Sequence, residues 1–387
     1  MEQAARLSAG WLYWPLLAAG SLLAALLSLA ALAQWAPQRD EARYARHYTG
    51  YTGAESIPSL AQRLADGVPV VFGSSELSGD SPYLPQHYLP ARLGQPVGAY
   101  GHAGMQLASI ALALRMTASP AAYRNARIVV LVSPTWFDSG LGNEPEVIRN
   151  EVLSPLNLLR LCRAPAAGER NDVAAADAAA IDPAADAHWL ARRCRDWPRL
   201  TAGLLDGEQA VGRLRTLLRD AGSEAPRPAP AGAVDWPAEL AAAHGYEAAR
   251  AHNAYGVDDH YFQTYLADQH LPRRKPALPA PASNRELRDL DALLAQLSHY
   301  RRKPLFVMLP LNPRVYSGLE HYRPTLDAAD AAIRARGFGL YDLWAEPYRD
   351  GILRDPMHTG AAGWVMIAQR LSGHFGLPAS PSGSTPP

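Results

Sequence analysis

Runs of consecutive aliphatic and β-branched residues, each cut short by Gly, Ser or Pro, recur along this chain. A strand with one wet face alternates apolar and polar residues, whereas an unbroken apolar run of four to eight residues suits a strand covered on both faces. Residues 68–72 (Val-Pro-Val-Val-Phe) form such a run between Gly67 and Gly73. Residues 128–132 form a second, stopped by Ser133-Pro134, and 305–309 a third, stopped by Pro310. Residues 97–100 and 340–343 are shorter candidates. The first of these two runs through Gly101 to Gly104 into an apolar stretch at 105–116 with helical character. Between 283 and 297 the period changes: Leu287, Leu290, Leu294 and Leu297 recur on one helical face, and Ser283 and Glu286 have the spacing of a capping box. Another helix is expected over 360–375.

Strands alternating with helices predict an α/β fold, a mostly parallel sheet covered by helices on both faces in three αβα layers. In such sheets functional groups gather at the carboxyl ends of the strands. The alternation breaks over about 138–282, which holds an Ala- and Asp-rich stretch at 164–190 and a Pro-rich one at 225–233. It reads as a helical, loop-rich insertion in one domain spanning 39–377. The last ten residues, 378–387, have the Pro, Ser and Gly content of a disordered tail.

The other departure lies at the N-terminal end. Residues 7–38 carry no charge, and 12–33 are nearly all Leu and Ala. About 20 helical residues cross a hydrocarbon layer of roughly 30 Å. Trp11, Tyr13, Trp14 and Trp35 would sit at the two interfaces. A cleaved signal peptide is the competing reading, with Ala31-Leu32-Ala33 resembling a cleavage site, but the apolar run is longer than a usual signal core. We expect 1–38 to be a single-pass anchor in the cell (inner) membrane, with the large domain outside the cytoplasm.

Charge excludes one class of partner. Lys+Arg and Asp+Glu each total 37, so no basic excess exists to neutralise nucleic-acid phosphates. Cys162 and Cys194 flank the Ala-rich stretch, either as a disulfide staple or as two buried thiols. Asp258, Asp259 and His260 are adjacent, a poor arrangement for one ion, and no HExxH or paired CxxC pattern occurs. No metal or cofactor is expected.

Chemistry is suggested by two distant stretches. The first run ends in Gly73-Ser74-Ser75-Glu76, and Asp355-Pro-Met-His358 stands near the other end of the chain. A strand-to-turn junction projects a hydroxyl from the sheet edge beside backbone N–H groups that stabilise an oxyanion. A Ser hydroxyl needs a base within hydrogen-bond reach to become a nucleophile, and Asp three residues before His can orient the imidazole. This points to Ser75 as nucleophile, His358 as base and Asp355 as orienter. Ser74 competes with Ser75, and the bland alternative makes Ser a helix cap and Asp355 another.

With these residues quoted, a resemblance emerges. Phe72-Gly-Ser-Ser-Glu-Leu77, Ser133-Pro-Thr-Trp-Phe137, Asn253-Ala-Tyr-Gly-Val-Asp-Asp-His-Tyr-Phe262, Leu309-Pro-Leu-Asn312 and Asp355-x-x-His358 before Gly363-Trp364 occur in this order. Together with the N-terminal apolar segment, they resemble the DltD family of D-alanyl transfer proteins. The resemblance implies an SGNH/GDSL-hydrolase-like fold and a covalent D-alanyl ester on Ser75. It also implies work in D-alanylation of a cell-envelope polymer, beside a membrane-bound O-acyltransferase and a D-alanyl carrier protein. Thr135 replaces the Gln expected of Ser-Pro-Gln-Trp-Phe, and the Gly-x-Asn-Asp block of general SGNH hydrolases is absent. The expected oxyanion donors are the N–H groups of Ser75 and Gly104, with the Asn312 side chain a weaker candidate. Trp136 and Thr135 are candidates for substrate binding, although core is the commoner place for such an aromatic.

Two other functions share these residues. An esterase, thioesterase or polysaccharide O-acetyltransferase would use the same triad with a different resolving nucleophile. A scaffold for a membrane O-acyltransferase would need no triad at all. The discriminating quantity is the distance from Ser75 Oγ to the His358 ring, which must be about 3.2 Å or less for proton transfer.

Overall fold

A computed structural model describes residues 56–78, 81–101, 103–138, 234–267 and 276–377, together with residues 17, 18, 20–25, 27, 28, 157 and 161. The chain divides into two units, one of residues 1–40 with 197–225, the other of 41–196 with 226–387. In the first unit the described residues, 17–28 with gaps, are helical and exposed, Leu17, Leu22, Leu23 and Leu27 among them. Among the described residues no helix is long and apolar enough to cross a membrane. Most of the expected anchor, both cysteines, the stretches 164–190 and 225–233, and the 378–387 tail lie outside the described residues.

The second unit is built on a five-stranded parallel sheet in the order β2-β1-β3-β4-β5. The strands are β1 (Pro69–Gly73), β2 (Gly98–Gly101), β3 (Arg127–Val132), β4 (Leu305–Met308) and β5 (Gly339–Asp342). All five fall on predicted runs, shifted by one residue at most ends. Successive side chains of one strand point to opposite faces. Val70, Phe72, Ile128, Val130, Phe306 and Met308 therefore enter one core, while Val71, Val129, Leu131, Leu305 and Val307 enter another.

Helices cover both faces. The first core takes residues from α1 (Ser56–Asp66), α3 (Leu107–Met116), α4 (Pro120–Asn125), α6 (Arg285–Leu297) and α7 (Arg323–Ala335). The second takes residues from α2 (Pro85–Leu93), α5 (Trp236–Ala248) and α8 (Ala361–Phe375). Leu290, Leu294 and Leu297 of α6 are fully buried, as the leucine period predicts, while Leu287 is only partly buried against the same core and Leu293, outside the predicted set, is fully buried. Its cap differs from expectation. Asn284, not Ser283, is the N-cap, accepting from Leu287 N at 3.3 Å, and Glu286 turns away to a buried contact with Leu107 N at 3.5 Å.

The strand order positions the site. From β1 the chain winds outward to β2, then returns to β3 on the other flank of β1. Neighbouring connections leave in opposite directions there and open a crevice at the carboxyl ends of β1 and β3. The turn carrying Ser75 follows β1 directly at that end.

Candidate active site

Ser75 begins a short 3-10 turn, Ser75–Leu77. Leu77 N donates to Ser74 O at 3.2 Å and Ser78 N to Ser75 O at 3.1 Å, which closes the turn. The strand must end tightly here: a Cβ on Gly101 of β2 would lie 2.3 Å from Gly73 O, so only glycine allows the two strand ends to approach this closely. Ser75 is half-buried, while Ser74 and Glu76 on either side are buried.

Asp355 and His358 sit on a hairpin between β5 and α8. Leu353 and Thr359 form an antiparallel bridge, and Arg354 N donates to His358 O at 3.0 Å. Asp355 Oδ1 accepts the N–H groups of Met357 at 3.0 Å and His358 at 2.8 Å, an Asx-type closure of the turn. The other oxygen, Oδ2, lies 2.7 Å from His358 Nδ1. One carboxylate thus shapes the backbone with one oxygen and aims the ring with the other.

The far ring nitrogen meets the serine: Ser75 Oγ and His358 Nε2 are 2.7 Å apart. With Nδ1–H donated to Asp355, Nε2 is the acceptor for the Ser75 hydroxyl. The three residues form one continuous hydrogen-bonded chain across a separation of 283 positions.

Electrostatics reinforce the geometry. Burial pushes the Asp355 carboxyl up, but the His358 hydrogen bond and charge, with the two turn N–H groups, outweigh it and hold the carboxyl below its ordinary value. Burial pulls the His358 imidazole down, yet its bond to Asp355 and the charges of Asp355 and Glu76 raise it above its ordinary value. Arg354 opposes that rise weakly.

Loops from several elements hold the hairpin. Asn312 N donates to Pro356 O at 2.9 Å, and Asp258 N donates to Arg354 O at 2.7 Å. Glu247 of α5 accepts from Ala361 N at 2.6 Å, capping α8 from outside its own sequence. Arg354 Nη2 reaches Ser78 O at 2.9 Å.

The remaining expected residues are placed as follows. Gly104, with φ of 84°, donates its N–H to Ser74 Oγ at 3.2 Å, beside the serine turn. The Asn312 side chain is wholly buried; Nδ2 donates to Tyr255 O at 3.0 Å and Oδ1 accepts from Arg314 N at 2.9 Å. Its amide holds loops together at both ends. Trp136 is buried in the first core, and the Thr135 hydroxyl is buried against Ser133 Oγ at 2.9 Å. Both belong to the interior. Asn253 and Asp259 close a turn through Asn253 Nδ2, 2.9 Å from Asp259 Oδ1, with Gly256 at φ 63°.

Two residues escaped the sequence reading, Arg354 and Glu76. Arg354 carried a weak signal, its place beside Asp355. Glu76 stood inside the Gly-Ser-Ser-Glu motif, where its proximity to a possible cap obscured it. Its carboxylate is buried and accepts Ser74 N at 2.7 Å.

A doubly wound parallel sheet with a Ser–His–Asp chain at its carboxyl edge defines a class of α/β protein suited to acyl chemistry. A family model described as DltD protein matches residues 59–376, and the chain belongs to that family. Membership ties it to the D-alanylation of teichoic acids. Among curated proteins, none matches.

Proposed function

We propose that this protein is a membrane-anchored serine acyltransferase of SGNH-hydrolase type that moves D-alanyl groups onto a cell-envelope polymer through an ester on Ser75. The observation that carries this reading is the relay from Ser75 Oγ to His358 Nε2 and from Nδ1 to Asp355, each link 2.7 Å. A hydroxyl that close to a carboxylate-held imidazole is poised for nucleophilic attack.

In the first half-reaction Ser75 Oγ attacks the D-alanyl carbonyl carbon while His358 Nε2 takes the hydroxyl proton. The tetrahedral oxyanion is met by the backbone N–H of Ser75, joined by that of Gly104 once it gives up its resting bond to Ser74 Oγ. Collapse breaks the bond to the donor's sulfur or oxygen, which leaves with the proton from His358. In the second half an acceptor hydroxyl gives its proton to His358, attacks the Ser75 ester and takes the D-alanyl group, and Ser75 regains its proton. Asp355 keeps its charge throughout and stabilises the imidazolium.

The carrier protein and the membrane O-acyltransferase are the partners that family membership favours. The uncharged segment 7–38 supports an anchor with the α/β unit outside the cytoplasm. Intact-mass analysis after incubation of the full chain with an activated D-alanyl thioester tests the reading. Wild type gains one D-alanyl mass and Ser75→Ala does not; an equal adduct on both removes Ser75 as nucleophile.

A further inference from the structure

Beneath the relay lies an acid that the mechanism above leaves unused. Glu76 follows Ser75 directly, yet its side chain folds backwards under the turn and accepts the Ser74 N–H at Oε2, 2.7 Å away. It therefore ties down the backbone on the N-terminal side of Ser75. Ser74 adopts φ −123° and ψ −131°, outside the helical region, and this fold-back bond holds its N–H in that conformation.

The Ser74 N–H and a charged His358 favour the ionised form of Glu76, against the cost of burial. Burial is the largest influence and, with the Asp355 charge, holds the carboxyl above its ordinary value; the charge of His358 pulls it part of the way back. The coupling is mutual, because the Glu76 charge raises His358.

We propose that Glu76 is a positioning residue for the relay: its carboxylate clamps the turn that presents Ser75 and supplies a second negative charge, besides Asp355, to the His358 imidazolium. The inference deepens the acyl-transfer reading and rests on it for its catalytic meaning. The clamp acts on rate through geometry, and the charge acts through the proton affinity of the ring. Among the described residues, Asp355 and Arg354 are the other charged groups that act on His358, and the Tyr261 and Tyr348 hydroxyls feel the charge of Asp355.

The two actions separate in two variants. Glu76→Gln keeps an acceptor for the Ser74 N–H and removes the charge. Glu76→Asp keeps the charge and draws the acceptor back by one methylene. The His358 ring is titrated by NMR in the full chain, assigned by comparison with His358→Ala, and acyl-adduct formation is followed against pH. Glu76→Gln is expected to move the His358 midpoint to lower pH and carry the acid limb of the rate profile with it, with the plateau rate about tenfold lower. Glu76→Asp is expected to slow adduct formation while His358 titrates close to wild type.

A ring that titrates identically in wild type and Glu76→Gln overturns the proposal. If Glu76→Gln does not fold, the Glu76 carboxyl carbon of the wild-type chain is observed instead. Its shift must respond as His358 titrates, and an indifferent carboxyl overturns the proposal equally. Because these readings need no turnover, they stand apart from the reaction. A wild type that forms no adduct while the ring still responds to Glu76 removes the acyl-transfer reading and leaves the coupling.

Discussion

Arg354 Nη2 donates to the carbonyl oxygen of Ser78 at 2.9 Å, joining the hairpin that carries Asp355 and His358 to the turn that carries Ser75. Its Nε also lies 3.6 Å from Asp355 Oδ2. The side chain thus spans the two segments whose separation sets the Ser75–His358 distance. A hydrogen bond from a charged donor contributes about 1.5–3 kcal/mol. Arg354→Ala is expected to slow adduct formation by about tenfold, since near-attack geometry is sensitive to sub-ångström displacement. Single-turnover rates check this, and an unchanged rate would show that the hairpin needs no such tie.

Asp355→Asn should be severe for a different reason. The amide oxygen can still accept the Met357 and His358 N–H groups, so the turn survives. The NH2 end, however, would face Nδ1 as a donor and favour the ring tautomer with its proton on Nε2, the wrong side for accepting from Ser75. A loss of about 10³–10⁴ in adduct rate is expected, with little change in melting temperature.

The pH dependence follows from the opposite shifts of the pair. His358 must be neutral to accept the Ser75 proton, and its value is raised, so activity should climb with pH through a midpoint above the ordinary imidazole value of about 6.5. Stability carries two signs. The raised His358 contributes stability that is full below its unfolded value and is lost as pH rises through its folded value. The depressed Asp355 contributes stability present above its unfolded value of about 3.9 and lost as pH falls through its folded one. A rate midpoint at or below that of a free imidazole contradicts this arrangement.

Gly363 shows how closely the hairpin is packed. A Cβ there would lie 2.5 Å from Ile352 O and 2.8 Å from Thr359 Cγ2, at the base of the loop. Gly363→Ala must push backbone aside, at an expected cost of about 1–3 kcal/mol. Thermal unfolding should show the loss. The adduct rate should fall as well, because α8 and the hairpin are displaced together.

How much of this could be read beforehand divides along physical lines. The strands were legible because each is buried on both faces, so no alternation confuses the run: 128–132 and 305–309 announce themselves by composition. The α6 face was legible from its leucine spacing, but its start was not. Ser283 and Asn284 are both good caps, and the choice turned on Glu286, which is drawn off to Leu107 by tertiary packing. Ser75, Asp355 and His358 stood out by residue type and by position after a strand and before a helix. Trp136 and Thr135 stood out equally and lie in the interior, since an aromatic after a strand end has no sequence mark that separates a lining residue from a core one. Arg354 and Glu76 act through a carbonyl and an N–H, backbone groups every residue carries. No residue type betrays such partners.

The 283 positions between hydroxyl and base have a consequence for biosynthesis. Ribosomes deliver Ser75 long before His358, and non-local pairing of this kind is slow to form. Until β5 has joined the sheet and α8 has packed behind it, the serine is an ordinary alcohol. On the proposed acyl-transfer reading, a nascent chain that lacks the hairpin has no base for Ser75, and the appearance of esterifying power would report completed folding rather than completed translation of the motif at Ser75.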